Sequence, residues 1–329
     1  MKAGAVLFMM AGVTLAAGLV VYYGFDGIAT AFLAAGWRGV LAMSAFHIVT
    51  LAPAAIAWRA LQTEAMPRAS LVFLWARWLR DSVGNILAFL PIAGELVSAR
   101  ELTRLGVRGV MAGATTVVDL TLELLSQILF TLLGVAVLLV ERPDNAIAEK
   151  VVAGTAIALF VVLGFVLAQR RGLFPFLVAL PEWLGLTWNW QKLRDGQTIH
   201  DAIGKIYAAH RRLLAGTTLH LVSWIVGTGE AWLALYFMGV PLGIGDVLAI
   251  ESLVFALRSI GFLVPLAAGV QEGGYVLIGA LFGLGPDAAL ALSFLKRARE
   301  IVTGAPALIV WQVVEVRRLR GRKPQMSRT

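Results

Sequence analysis

The chain has 329 residues, of which 59% are hydrophobic and 15% are charged, and its formal net charge is +8. Soluble domains carry about 25% charged residues, so this composition excludes an ordinary soluble domain and predicts a polytopic, all-α integral membrane protein. The chain contains no cysteine, which excludes disulfides, thiolate metal sites and cysteine nucleophiles.

The chemical motifs of common enzymes are missing from the sequence. The four histidines are widely spaced and do not have the HExxH spacing of a metal site, and no nucleotide-binding or hydrolase motif occurs. We therefore expect no metal, no cofactor and no enzymatic activity, although the few membrane acids leave intramembrane chemistry open. The excess of Lys and Arg predicts contact with anionic lipid headgroups at cytoplasmic loops, not with nucleic acid.

Apolar stretches long enough to cross a hydrocarbon core, which takes about 20 residues, predict about six transmembrane helices. The first could be a cleaved signal peptide by length, but without a clear cleavage site we interpret it as a retained span. Residues 24–37 are predicted to be a loop. The predicted spans are about 4–23, 39–60, 109–139, 151–168, 213–238 and 287–311.

Two further segments, 71–107 and 246–284, are apolar but interrupted near their middle, which predicts two re-entrant helical hairpins. Broken backbone at membrane depth is tolerated only where protein or water covers it. In the first hairpin, apolar pieces at 82–90 and 96–105 flank a break at Pro91–Glu95. In the second, a helix through Val264 is followed by a break at Pro265–Gly274 and a return at about 275–284.

The two hairpins belong to an internal repeat. Segment 41–50 resembles segment 214–223 at an offset of 173, and the offset is 177 thereafter. Chance similarity between apolar helices is the alternative, but repeated acids and a repeated histidine argue against it. Repeated halves are the usual architecture of a transporter. The matched pairs include His47 with His220, Ser82 with Ser259, Gly84 with Gly261, Glu95 with Glu272, Gly106 with Gly283, and Glu123 with Glu300.

Basic residues cluster in segments that predict both termini on the cytoplasmic side of a bacterial-type inner membrane. With six spans, the second repeat is then inverted relative to the first. We expect a single membrane domain, 1–329. Its parts are repeat one at about 38–139, a linking span and cytoplasmic arm at 140–212, repeat two at about 213–311, and a basic tail at 312–329. The arm, with Trp183, Trp188 and Trp190, is predicted to lie on the membrane surface from 169.

Charged residues at membrane depth are the candidate binding or coupling residues, since each requires a partner or a function. Glu95 and Glu272 lie at the hairpin breaks, where they bind a headgroup or proton, or cap a half-helix. Asp119 and Glu123 share one face of a span, and Glu300 is the repeat mate of Glu123. The arginines predicted to offset phosphate charge are Arg80, Arg258 and Arg297.

Some contacts of these residues are also predicted. Lys296 or Arg297 is expected to meet Asp119 or Glu123 across the repeat interface, as binding machinery or as structural ion pairs. Arg77 and Arg100 are expected to snorkel to the interface. For His47 and His220, an interhelical hydrogen bond is favoured over a proton relay. Glu230 and Glu251 are lone acids without an assigned role.

The stretches LPIAGELVSARELTRLGV and VPLAAGVQEGGYVLIGALFGLGPDAALALSFLKRARE resemble the transmembrane region of lysylphosphatidylglycerol synthases, a superfamily that includes flippase-like proteins. FLWARWLRDSVGN, VVDLTLELLSQILFTLLG and APALIVWQVVE resemble its hopanoid-biosynthesis-associated branch. The resemblance implies handling of a membrane lipid. The chain departs from the full synthases because no soluble aminoacyl-transfer domain follows the membrane part. It also carries AAGVQE where the superfamily has more glycine.

We therefore interpret the sequence as that of a lipid translocator, with a hopanoid-related lipid or lipid-linked intermediate as the expected substrate. An intramembrane enzyme of lipid biosynthesis and a scaffold that recruits lipid-biosynthesis enzymes are the main alternatives. Uptake of a small soluble solute is a weaker one.

Overall fold

The structure is a computed structural model, and it describes residues 14, 17–63, 66, 68–86, 92–141, 196–260 and 267–321. Regular secondary structure in these residues is entirely helical, which confirms the predicted all-α class. The predicted span at 151–168, most of the span at 4–23, the three arm tryptophans and the breaks at Pro91 and Pro265 lie outside the described residues.

The helices of the described part are numbered here in chain order. The N-terminal set is α1 Phe25–Ala60, α2 Ala69–Ile86, α3 Ala93–Arg104 and α4 Gly109–Glu141. The C-terminal set is α5 Gly196–Ala208, α6 His210–Phe237, α7 Ile244–Ile260, α8 Val270–Leu281 and α9 Pro286–Gly321. Among the described residues, α1 and α4 are long and apolar enough to cross a membrane by length and composition.

The predicted loop at 24–37 is wrong, because α1 already begins at Phe25. This stretch contains four alanines, which are the best helix formers, and no proline. The direction of the helix changes at Gly36, which has φ 55° and ψ −167°. Glycine adopts such a left-handed φ without steric penalty, so the sequence marks a kink here and not a loop.

Each predicted hairpin appears as two helices that pack against each other, α2 with α3 and α7 with α8. The returning helices begin earlier than predicted, at Ala93 and Val270. Glu95 and Glu272 therefore lie in the first turn of α3 and α8 and not in a break. An acidic residue is favourable there because it faces the positive end of the helix dipole.

The 177-residue offset also relates the helix boundaries. Helices α3 and α8 correspond at both ends, and α4 and α9 begin at corresponding residues. The turns that follow α3 and α8 correspond as well, with positive φ at Gly106 (102°) and Gly283 (79°). In these turns, the N–H of Val107 donates to a carbonyl 3.0 Å away and that of Leu284 to one 2.9 Å away.

Contacts between helices follow the same correspondence. Helix α4 packs on α7 as α9 packs on α2, and α4 packs on α6 as α9 packs on α1. Helices α1 and α6 run antiparallel. A Cβ atom built on Gly39 would lie 3.3 Å from Cβ of Phe237, and one built on Gly216 would lie 3.9 Å from the carbonyl oxygen of Ala57.

Helix α5 is the described end of the predicted cytoplasmic arm. Its Ile199 and Ile203 are buried in a hydrophobic cluster that also contains Trp58, Val118 and Leu122 of α1 and α4. This part of the arm is thus packed on the helical core.

Candidate functional site

A cavity of about 230 Å³ lies where the two halves meet. In the described part of the chain, six helices contribute to its wall, so its shape depends on how the halves pack. The wall is unusually polar for the interior of an apolar protein. Its ionisable and histidine side chains are His47 from α1, Arg77 and Asp81 from α2, Glu123 from α4, His220 and Glu230 from α6, Glu251 and Arg258 from α7, and Lys296, Arg299 and Glu300 from α9.

In the first half, two arginines of α2 bind the acids of α4. Arg77 donates to both carboxylate oxygens of Glu123, with Nη2 at 2.5 Å from Oε1 and Nη1 at 3.1 Å from Oε2. Arg80 Nη1 lies 2.9 Å from Oδ2 of Asp119, and its Nη2 lies 3.2 Å from Oε1 of Glu95. The guanidinium fork suits such bidentate binding of carboxylates.

In the second half, the cations of α9 bind acids of α6, α7 and α8. Lys296 donates to Glu251, and Arg299 Nη2 lies 3.2 Å from Oε2 of Glu230. Arg297 Nε donates to Oε1 of Glu272 over 2.8 Å.

The predicted pairing of Lys296 or Arg297 with Asp119 or Glu123 is therefore wrong. In the charge networks around the cavity, Arg and Lys side chains pair with acids of their own half, α2 with α3 and α4, and α9 with α6, α7 and α8. The predicted snorkelling of Arg77 is also wrong, since its side chain is buried and ion-paired with Glu123. Arg100 of α3 forms an ion pair with Glu315 of α9.

The repeat-related glutamates have different surroundings. Glu272 accepts the N–H of Gly269 at Oε2 over 2.8 Å, which is a helix cap, and also binds Arg297. The hydrogen bonds described for the Glu95 side chain come from Arg80. Both acids thus contact an arginine within their own half.

Both repeat-related histidines form interhelical hydrogen bonds, as predicted. His47 Nδ1 of α1 lies 2.8 Å from Oε1 of Glu230 on α6. His220 Nε2 of α6 lies 2.9 Å from Oδ1 of Asp119 on α4. Each bond joins one half to the other, so the histidines connect the two charge networks.

Three of the predicted site residues line the cavity: Glu123, Arg258 and Glu300. The others surround it, with Glu95, Asp119 and Arg80 in the network of the first half and Glu272 and Arg297 in that of the second. Sequence reasoning missed the wall residues Arg77, Asp81, Glu230, Glu251 and Arg299. A signal for them existed, since a charged residue within an apolar helix requires a counter-charge.

Two charged residues of the described cavity wall form no ion pair, and we call them the open charges. Among the residues that the structure describes, Arg258 and Glu300 have no ion pair, and the guanidinium of Arg258 rests 5.5 Å from the ring centre of Phe255. The described part of the chain also contains no group of three His, Asp or Glu side chains placed to hold a metal ion. The arrangement is suited to binding a polar, charged group inside a membrane protein.

An all-α, multi-pass membrane protein with a charged cavity between two halves is the class that this fold and site define. Within that class, the chain belongs to the family described as the lysylphosphatidylglycerol synthase TM region, whose model matches residues 9–306. Membership of this family supports a function related to membrane lipids. Comparisons with the curated proteins and with the solved structures gave no match.

Proposed function

We propose that this protein is a lipid translocator that moves a lipid headgroup between leaflets through the central cavity. The observation that carries the proposal is a polar cavity, walled by both halves, in a member of a lipid-related membrane family. Polar residues buried in membrane proteins mark substrate pathways by default. The headgroup would enter the cavity while the acyl or polycyclic tail stays in the bilayer.

The proposal includes an inverted repeat. Corresponding helices α1 and α6 run antiparallel, and the contacts of α4 and α9 are exchanged between halves. The exchanged contacts favour a two-fold axis, and the antiparallel helices favour an axis that lies in the membrane plane. Such repeats support alternating access, in which the halves rock around a fixed central site. We further propose an inner-membrane location with both termini in the cytoplasm.

The paired charges of the wall suit this function. A charged headgroup loses its hydration when it leaves the membrane surface, and fixed ion pairs in the wall replace part of that hydration. The histidine bonds between halves break and reform if the halves rock, which is feasible because each is a single hydrogen bond. Resemblance to the hopanoid-associated branch makes a hopanoid-related lipid one candidate substrate.

The test is translocation by the full-length protein reconstituted in liposomes that contain a trace of fluorescent phospholipid. Dithionite, which cannot cross the bilayer, quenches outer-leaflet dye, so a translocator increases the quenched fraction. Gly227 lines the cavity, and a Cβ there would have open space around it. We expect Gly227→Phe to fill the cavity and stop translocation, while Gly227→Ala, the matched control, retains it.

Unchanged translocation by Gly227→Phe would show that lipid does not pass through the cavity. Equal quenching in vesicles with and without protein would contradict a translocator. Mass spectrometry of the same vesicles separates the alternatives, because an intramembrane enzyme would convert the lipid. A scaffold would neither translocate the lipid nor convert it.

A further inference from the structure

Some charged side chains of the cavity wall form ion pairs and others do not. Among the residues that the structure describes, nine ionisable ones other than histidine line it, and most are bound to each other. Arg77 pairs with Asp81 and Glu123, Arg299 with Glu230, and Lys296 with Glu251. Within the described residues, this leaves one cation, Arg258, and one anion, Glu300, without an ionic partner.

The repeat explains why these two are open. Glu300 corresponds to Glu123, which binds Arg77 and Arg80. At the offset of 177, the positions of those two arginines are occupied by Val254 and Leu257. Arg258 in turn corresponds to Asp81, the partner of Arg77. The second half therefore lacks the two arginines that bind Glu123, and it has an arginine where the first half has an acid.

The two open charges belong to one end of the cavity. Arg258 and Lys296 both lie against Phe255, at 5.5 Å and 5.3 Å from its ring centre. Glu300 is four residues after Lys296, one turn along the same face of α9. Lys296 is neutralised by Glu251, so the free charges at this end are one guanidinium and one carboxylate.

Unpaired charges in a membrane interior are costly. Glu300 is buried and Arg258 is half-buried, which indicates that a ligand completes them. An anionic headgroup would satisfy Arg258 but place a second negative charge near Glu300. A cationic group would satisfy Glu300 and leave Arg258 open. A ligand with one phosphate and one ammonium group satisfies both, and the guanidinium fork binds phosphate well.

We propose that Arg258 and Glu300 form the recognition site for a zwitterionic headgroup of the phosphoethanolamine type, with phosphate on Arg258 and ammonium on Glu300. This inference rests on the proposed lipid function and specifies its substrate class.

The experiment measures binding of short-chain phosphatidylethanolamine and phosphatidylglycerol to the full-length protein in uncharged detergent, by native mass spectrometry. We expect the wild type to bind phosphatidylethanolamine about tenfold more tightly. Arg258→Gln should weaken both lipids, because both carry the phosphate. Glu300→Gln should weaken phosphatidylethanolamine alone. Asp201→Asn, which removes an exposed carboxylate of α5, is the charge-matched control and should change neither.

A thermal unfolding measurement separates binding from misfolding. Glu300→Gln removes an unpaired charge, so the ligand-free variant should melt at the wild-type temperature or above it. A lower melting temperature would mean that Glu300 stabilises the fold and would overturn its assignment to the ligand.

The outcomes distinguish this inference from the proposed function. Equal binding of the two lipids, or a Glu300→Gln variant that loses both, overturns the zwitterion assignment while the translocator proposal stands. Binding of neither lipid also overturns the zwitterion assignment, and the translocator proposal then depends on the liposome assay. Soluble phosphoethanolamine serves as a competitor, and if it binds as tightly as the lipid, the ligand is a soluble zwitterion and the lipid assignment fails.

Discussion

At the scale of single residues, the charges of this protein are organised as local pairs, and their burial makes each pair sensitive to the loss of one member. Lys296 and Glu251 are the extreme case, because only 2% and 1% of their side chains are exposed. The hydroxyl of Tyr275 also donates to Glu251, over 2.6 Å. Glu251 thus depends on two donors that come from α8 and α9.

Lys296→Met should destabilise the protein strongly, because it leaves the carboxylate of Glu251 buried without its counter-charge. Removing one partner of a buried pair costs about 3–5 kcal/mol. Adding Glu251→Gln should recover most of the loss, since the amide is neutral and still accepts the hydrogen bond of Tyr275. Thermal unfolding of both single variants and the double variant in detergent measures the coupling. Additive losses would show that the two charges do not interact.

Which residues carry charge at membrane depth could be predicted from the sequence, but which charges pair could not. Asp119 and Glu123 were predicted to share a helix face, and both bind arginines of α2. Lys296 was assigned to the wrong acid because pairing depends on which helices touch. The sequence also places Glu251 and Lys296 45 residues apart, with no periodic signal that connects them.

At the scale of helices, close approach depends on small residues where α4 crosses α7. A Cβ atom on Gly134 would lie 1.7 Å from the hydroxyl oxygen of Ser252 and 3.3 Å from Cα of Ala249. Small residues allow membrane helices to pack closely, and this packing replaces the hydrophobic effect that drives association in water.

Gly134→Ala should therefore push α4 away from α7 and lower stability by about 1–3 kcal/mol, the typical cost of overpacking. Gly113→Ala is the matched control on the same helix, because the nearest atom to its Cβ lies 4.0 Å away. Adding Ser252→Gly to the first variant should restore much of the loss. Melting temperatures in detergent test this, and equal values for the two alanine variants would refute the close crossing.

The starts of α4 and α9 were predicted better than those of α1 and of the hairpin helices. The start of α4 agrees with the prediction, and that of α9 differs by one residue, because a turn signal precedes a long apolar run in each case. The returning helices α3 and α8 begin three and five residues before their predicted starts. Their first turns contain glycine and acidic residues, which lower the apparent hydropathy although these residues are suited to a helix N-terminus.

At the scale of the whole molecule, the central question is how the two halves are oriented in the membrane. Thr103 and Ala280 are repeat mates in the last turns of α3 and α8, and both are exposed. An inverted repeat places them on opposite sides of the membrane, Thr103 in the cytoplasm and Ala280 outside. A parallel repeat places them on the same side.

The sequence lacks cysteine, so Thr103→Cys and Ala280→Cys can each be labelled without background. In intact cells, a membrane-impermeant maleimide should label Ala280→Cys and leave Thr103→Cys unlabelled, and inside-out vesicles should give the reverse. Labelling after detergent solubilisation controls for reactivity, since both positions are then accessible. If both variants react from the same side of the intact membrane, the halves are parallel. In a parallel repeat, exchanging the contacts of α4 and α9 would not convert an inward-open state into an outward-open one. Alternating access by rocking of the two halves would then not follow from the symmetry.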